Sequence, residues 1–115
     1  MIIRKIKLYD LQLPLIVPYK TAINTLDNFT TLIAVIESET EVGYGECTTV
    51  LGYSWESPRD VWVFAKDNAQ KIVGKKLNQA YDYIAQFKNR FPFAATAFLT
   101  AMEAIKGEAL LTVPK

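Results

Sequence analysis

The first half of this chain alternates apolar and polar positions as strands do. Residues 2–15 predict a long strand, and their apolar side chains change phase near Tyr9-Asp10, which predicts a bulge or a twist there. Residues 29–37 are apolar on both faces, as is typical of a central strand. Residues 42–47 follow after a polar turn and predict the returning strand of a hairpin.

Two segments beside these strands predict loops. Residues 17–28 contain turn formers and few aliphatic side chains, and residues 48–56 follow the last strand. Pro14 and Pro18 argue against continued pairing in a sheet interior, because proline has no amide hydrogen to donate.

The second half of the chain shows helical spacing. Ser57 is a good N-cap with Pro58 at the first helical position, and this helix is expected to run to Gly74. Residues 79–89 and 93–106 predict two more helices, the last of them ending before Gly107. The order of strands and helices predicts an α+β fold, in which a three-stranded antiparallel meander is followed by a bundle of about three helices.

Composition limits the function classes. The chain has 115 residues, half of them hydrophobic, which indicates a single folded domain, 1–115. Thirteen basic and twelve acidic residues leave a net charge of +1, so the basic excess of a nucleic-acid binder is missing. No stretch is apolar enough to span a membrane. The single cysteine, Cys47, fits a reducing compartment, and we expect a cytoplasmic protein.

Few residues suggest catalysis. The chain has no histidine, which excludes Ser-His-Asp and Cys-His mechanisms within it. Its carboxylates lack metal-ligand spacing, so no metal site and no catalytic residue are predicted. Gly43 and Gly45 lack the third glycine and the strand-to-helix context of a dinucleotide-binding motif. They are better explained by the close approach of another backbone segment. Cys47 is expected to be a small packed residue.

The aromatic residues of the helices and Lys20 of the first loop can each be interpreted in two ways. The aromatic residues of the helices are expected to pack in the core rather than to stack on a ligand, with Trp55 as the exception that is exposed for contact. Lys20 in the first loop is suited to an anionic substrate, but a solvated loop lysine explains it equally well.

Taken together, these segments resemble the N-terminal capping domain of the enolase superfamily, in its mandelate racemase and muconate lactonizing enzyme branch. The resemblance rests on order and spacing more than on any one motif, and it covers nearly the whole chain. The similar stretches are residues 3–9 leading to 13–15, residues 18–22, the Gly43-Tyr44-Gly45-Glu46-Cys47 hairpin exit, residues 93–97 leading to 102–104, and Gly107 with Leu110-Leu111.

The resemblance implies a catalytic barrel beyond this domain, with residues 93–115 leading into it. Members of the family bind Mg²⁺ through three acidic ligands on barrel strands and use lysines, or a lysine and a histidine, as acid and base. None of those strands lies in this chain. The family's last helix commonly carries a Trp-Asp pair where this chain has Ala104-Ile105, so the subfamily stays open.

The resemblance also gives the two loops a role. In such enzymes the first loop (19–26) and the second loop (48–55) fold over the barrel mouth and contact the part of the substrate that does not react. Candidate substrates are small carboxylates: N-acylamino acids, dipeptides, muconates, succinylbenzoate precursors or, less favoured by the apolar second loop, acid sugars. The predicted specificity contacts are Tyr19, Lys20, Ile23, Val50, Leu51 and Tyr53.

Two functions follow from these expectations. The first is a capping domain of a magnesium-dependent racemase, epimerase or cycloisomerase, inactive without its barrel. The alternative is a stand-alone, non-catalytic α+β module that oligomerises or binds a partner. The expected partner is the barrel domain or, in its place, a second copy that contacts an apolar patch of the sheet and the third helix, residues 93–106, directly or by exchanging that helix.

Overall fold

A three-stranded antiparallel sheet forms the first half of the molecule. Its strands are β1 (Ile3–Lys20), β2 (Thr25–Ser38) and β3 (Val42–Thr49), in the order β1-β2-β3, so the predicted central strand is confirmed. The computed structural model describes residues 1–20, 25–49 and 54–107, with residues 13–20 and 25–29 described by their backbone only. The sheet is the predicted meander.

The prediction of a loop over residues 17–28 was wrong. The backbone stays in strands up to Lys20 and again from Thr25, and these two residues are paired. Pro14 is paired with Asn28, and the register shifts between Pro14 and Tyr19. The prolines are tolerated because β1 is an edge strand, where one side of the backbone needs no partner strand.

Of the bulge or twist predicted near Tyr9-Asp10, the bulge was wrong. Pairing of β1 with β2 keeps one register from Lys5 to Pro14, and the irregularity lies between Ile3 and Lys5 instead. The apolar phase change needs no bulge, because β1 carries apolar side chains on both faces. Leu8 packs against the core, whereas Leu11 lies on the opposite face.

Three helices follow, as predicted. They are α1 (Pro58–Ile72), α2 (Leu77–Ala85) and α3 (Pro92–Lys106). The second begins two residues before the predicted start at 79, and residues 86–90 form turns rather than its last turn. Within the described ranges, no helix has the length and hydropathy needed to cross a membrane.

The start of α1 confirms Ser57 as its N-cap. The Ser57 hydroxyl accepts a hydrogen bond from the Asp60 amide at 3.1 Å, and the Asp60 carboxylate accepts one from the Ser57 amide at 2.9 Å. This reciprocal pair satisfies amides that the first helical turn leaves without partners. The hydrogen bond from the Ser57 amide, followed by one that the Ser57 hydroxyl donates to the same carboxylate at 2.8 Å, lowers the pKa of Asp60 below its ordinary value.

The helices α1 and α3 pack on one face of the sheet, α2 packs against α3, and together they form a single core with the sheet. β2 contributes alternate residues to this face, and α3 contributes two of the largest fully buried side chains, Phe98 and Met102. The main members of the core are Leu32, Ala34, Ile36, Cys47, Val61, Phe64, Ile72, Ile84, Phe98, Met102 and Ile105.

The predicted close approach at the glycines of β3 is confirmed. A Cβ atom on Gly43 would lie 1.9 Å from the backbone oxygen of Ala101, and one on Gly45 would lie 1.9 Å from that of Ala97. Both obstructing atoms belong to the α3 backbone, so no side-chain rotation can make room. Glycine is required here because the α3 backbone rests directly on β3.

We expect Gly45→Ala to lower the free energy of unfolding by about 3 kcal/mol or more, because α3 must move away from the sheet to admit the methyl group. Urea unfolding followed by circular dichroism measures this. Glu46→Ala, the next residue on the same strand with an exposed side chain, is the control and should change stability little. Equal stability of the two variants would contradict the close packing of α3 on β3.

Candidate substrate-specificity site

Both predicted loops leave the sheet at the same end. β1 and β3 run in one direction and β2 runs back between them, so the connection after Lys20 and the end of β3 at Thr49 lie at one edge of the sheet. Thr49 is paired with Thr30, and β2 reaches beyond that pair to Thr25. At the usual rise of a strand, the β1–β2 hairpin projects about 16 Å past the end of β3.

The predicted specificity residues can be placed only in part. Tyr19 and Lys20 lie in β1 next to the hairpin connection, in strand rather than in loop. The structure therefore brings the first loop and the start of the second to one end of the molecule. The role of all six residues stays a prediction. Four of them lie outside the described residues: Ile23, Val50, Leu51 and Tyr53.

The far end of the second loop is held by a buried carboxylate. Glu56 is completely buried, and its Oε1 and Oε2 accept hydrogen bonds from the backbone amides of Phe93 at 2.8 Å and Ala94 at 3.0 Å. The hydroxyl of Ser54 donates a third bond to Oε1 at 3.0 Å. The carboxylate is thus hydrogen-bonded on both oxygens, as a buried charge must be.

Glu56 caps α3 from a distance. The residue at the N-cap position of α3, Phe91, makes no capping hydrogen bond with its side chain. Glu56 occupies the position where the helix dipole favours a negative charge and satisfies two of the amides that the helix leaves free. The end of the second loop and the start of α3 are therefore fixed to each other by the side chain of Glu56.

Trp55 strengthens the same attachment. Its indole nitrogen donates a hydrogen bond to the carbonyl oxygen of Arg90 at 2.6 Å, and its ring meets that of Phe91 edge-on at 5.0 Å between centroids. Trp55 as a whole is 61% exposed, which confirms it as the exposed exception among the aromatic residues weighed in the helical half of the chain. We call Ser54, Trp55 and Glu56 the loop anchor.

The remaining aromatic residues around α1 confirm the core interpretation. Phe64 is buried and contacts the rings of Phe87, Phe91 and Phe98, with centroid distances of 4.6–6.4 Å. Between these rings and Trp55 lies an open groove of about 580 Å³, whose rim carries charges of both signs. The rim residues are Arg59, Asp60, Asp67 and Lys71.

Sequence reasoning missed the role of Glu56. Its partners are 37 and 38 residues away, so no local motif marks it. One signal was present: the start of α3, Phe91-Pro92, offers no polar side chain for its free amides, which implies a cap from elsewhere in the fold.

Cys47 has no nucleophilic character in this structure. Burial, followed by the charge of Glu56, raises the pKa of its thiol to about 12. The thiol therefore stays protonated at neutral pH, in keeping with a packed residue. Among the residues that the structure describes, no three or more Asp, Glu, His or Cys side chains form a group that could hold a metal ion.

Known structures contain the same arrangement of strands and helices. Muconate lactonizing enzyme from Pseudomonas fluorescens, crystallised with muconolactone, is 25% identical, with a TM-score of 0.76 over 95% of this chain and 31% of that one. Dipeptide epimerase from Enterococcus faecalis V583 is 21% identical, with a TM-score of 0.80 over 93% of this chain and 31% of that one. N-succinyl Arg/Lys racemase from Bacillus cereus is 24% identical, with a TM-score of 0.79 over 96% and 31%.

This chain has the fold of the N-terminal capping domain of the enolase superfamily, in its mandelate racemase and muconate lactonizing enzyme branch. No family model and no curated protein matches the sequence. The capping-domain fold spans 29–32% of the length of the solved structures that it matches. The resemblance stated from the sequence is confirmed at the level of fold.

We expect Glu56→Ala to destabilise the capping-domain fold by about 2–4 kcal/mol, since it leaves buried amides at Phe93 and Ala94 without acceptors. Glu56→Gln should cost less but still be measurable, because the amide keeps only one acceptor oxygen where the carboxylate uses two. Chemical unfolding and amide hydrogen exchange at residues 93 and 94 measure the two effects.

The matched control is Glu41→Ala, which removes an exposed carboxylate in the β2–β3 turn and should leave both readouts unchanged. Unchanged exchange at residues 93 and 94 in Glu56→Ala would show that Glu56 does not cap α3.

Proposed function

We propose that this chain is the substrate-specificity domain of an enzyme in the mandelate racemase and muconate lactonizing enzyme branch. The observation that carries the proposal is a capping-domain fold over nearly the whole chain, with both predicted loops leaving one end of the sheet. A rigid sheet and helix scaffold that presents two loops on one side suits contacts to a substrate held by another domain. In this proposal, the chain positions and encloses the substrate and carries out no bond-breaking step.

The proposed reaction class is racemisation, epimerisation or cycloisomerisation of a small carboxylic acid. Support comes from the neighbours, which include a dipeptide epimerase, an N-succinyl amino-acid racemase and a muconate lactonizing enzyme. Within this class, the proposed role of Tyr19, Lys20 and the four loop residues named above is to contact the part of the substrate that does not react. The loop anchor would keep the second loop at a fixed distance from the scaffold, which lowers the entropy lost on binding.

In this proposal, Mg²⁺ is bound by a barrel domain and not by the capping domain. The dipeptide epimerase from Enterococcus faecalis was solved with Mg²⁺. The described residues of this chain do not fit such an ion, since no group of acidic side chains converges there. We therefore assign no metal ligand to this chain.

A stand-alone module is the second candidate function. The face of the sheet opposite the helices exposes apolar side chains, which favours contact with another protein surface. Such a module would need no catalytic groups of its own. Exchange of a substrate α-proton separates the two candidates when the chain is tested with and without a barrel domain.

The isolated chain should bind Mg²⁺ weakly at most and should not exchange the α-proton of dipeptides or N-acylamino acids. Orientation by a cap cannot replace a base and a metal ion at the reacting carbon. Calorimetry with Mg²⁺ and proton NMR in deuterium oxide provide the readouts, and the Enterococcus faecalis epimerase serves as the positive control. Tight Mg²⁺ binding or measurable exchange by pure chain would refute the division of roles.

Loop substitutions should alter substrate preference when this domain is joined to a catalytic barrel. We expect Tyr53→Ala or Ile23→Ala to change the ratio of kcat/KM between two substrates by about 1–3 kcal/mol, the usual range for one apolar contact. Mg²⁺ affinity should stay constant. Val73→Ala is the control, because this exposed residue ends α1 beside the start of β1, at the other end of the sheet. A loss of metal affinity with constant preference would contradict the specificity role.

A further inference from the structure

A groove along α1 plays no part in the function proposed above. It is the open groove of about 580 Å³ between α1 and the aromatic rings beside it, and we call it the α1 groove. Sites that take a small molecule usually have a volume of about 300–1,000 Å³, so this groove has room for one.

The floor of the α1 groove is aromatic. Phe64 is buried there and contacts the rings of Phe87 and Phe91, which also line the groove. The polar residue of the floor, Asn68, donates a hydrogen bond to the carbonyl oxygen of Phe64 at 2.9 Å and accepts one from the Tyr83 hydroxyl at 3.0 Å. Because that amide is engaged on both sides, a ligand meets the rings, which favour an aromatic or a large apolar group.

The side of the groove formed by α1 carries charges. A spacing of four residues places Val63, Asp67 and Lys71 one turn apart on this side of the helix. Asp67 and Lys71 are exposed, and the side chain of neither makes an ion pair or a hydrogen bond with any described residue. A carboxylate and an ammonium group therefore start about 6 Å apart along the helix axis, beside an apolar floor.

The charges at the other end of the groove are held differently. Asp60 accepts hydrogen bonds from the amide and the hydroxyl of Ser57 in the N-cap of α1, and Arg59 is its neighbour in the chain. Asp60 and Lys71 are about 16 Å apart along the axis, too far for one small molecule to contact both. The pair in which neither member is engaged is Asp67 with Lys71.

This combination selects a class of ligand. We propose that the α1 groove binds a free α-amino acid with an aromatic or a large apolar side chain. Its ammonium group donates to the Asp67 carboxylate, and its carboxylate accepts from the Lys71 ammonium group. Its side chain lies on the rings of the floor. An α-amino acid carries both charges on one carbon, which matches two opposite charges one helical turn apart.

Ligands with a single sign of charge fit less well. An organic cation would pair with Asp67 but leave a like charge beside it at Lys71, and an organic anion would meet the same conflict at Asp67. A neutral apolar molecule would displace water from both charged groups without replacing its hydrogen bonds. Pairing of Asp67 with Lys71 themselves, which is weak on an exposed helix, is not formed here and would cost a ligand little to open.

Fluorescence of Trp55 provides the test. Trp55 lines the groove and is mostly exposed, whereas the second tryptophan, Trp62, packs partly against the core. In the Trp62→Phe variant, L-phenylalanine should change the emission of Trp55 saturably, with a Kd of about 1 mM or lower. L-alanine keeps both charges but lacks a group for the floor, so it should bind about tenfold more weakly or worse. Calorimetry on the unsubstituted chain gives a second measurement that does not depend on the Trp62 variant.

Derivatives of the probe test each charge separately. N-acetyl-L-phenylalanine has no ammonium group and L-phenylalanine amide has no carboxylate, so each should bind about tenfold more weakly than L-phenylalanine. Asp67→Asn should weaken L-phenylalanine by a similar factor without weakening the N-acetyl derivative. Lys71→Gln should weaken L-phenylalanine in the same way without weakening the amide.

Matched control variants are Asp82→Asn and Lys66→Gln. Both residues are exposed on helices and lie outside the lining of the α1 groove, so both variants should bind L-phenylalanine as the parent chain does.

Three results would overturn the proposal: no saturable binding of L-phenylalanine by either method, equal affinity for L-phenylalanine and one of its two derivatives, or control variants that lose as much affinity as Asp67→Asn. These results are independent of the proposed enzymatic role, because the titrations need neither a barrel domain nor Mg²⁺. Proton exchange and substrate preference report on the loops and the barrel instead.

Discussion

The contact of α3 with β3 is the constraint on which the rest of the structure depends. Two backbones meet there with only hydrogen atoms between them, at Gly43 and Gly45. This contact sets the height of α3 above the sheet and brings Phe98, Met102 and Ile105 into one core with Leu32, Ala34 and Ile36. α1 and α2 then cover the sides of that core. A methyl group at either glycine would separate the two layers along their whole length.

The position of α3 in turn creates the site for Glu56. The amides of Phe93 and Ala94 in the first turn of α3 have no acceptor within the helix, and the site at Ala94 is buried, so they need an acceptor from elsewhere in the fold. Glu56 provides it and, by the same bonds, fixes the end of the loop that follows β3. The stability of the core and the placement of a proposed substrate loop therefore rest on one buried carboxylate. Trp55 adds a second attachment between the loop and the start of α3, through its hydrogen bond to the carbonyl oxygen of Arg90.

The two faces of the sheet serve different purposes. One face is closed by the helices and holds the scaffold rigid, which is what loops need in order to present side chains at defined positions. The other face keeps its apolar side chains at the surface. The described scaffold therefore has one face closed by helices and one face with exposed apolar side chains.

Local patterns in the sequence determined much of this fold. Alternation identified β1, an apolar run identified β2, and the polar turn after that run identified β3. Ser57-Pro58 and Gly107 marked helix ends, and the glycine spacing in β3 predicted a backbone contact, because each signal depends on neighbours in the chain. Tertiary structure decided the rest. The prolines of β1 are compatible with a strand because that strand lies at an edge, and Leu11 faces outward because the helices all pack on the other side. Glu56 is a cap because α3 begins beside it, 37 residues later. These features depend on which distant segments of the chain come into contact in the folded structure. A local sequence pattern does not specify those long-range contacts.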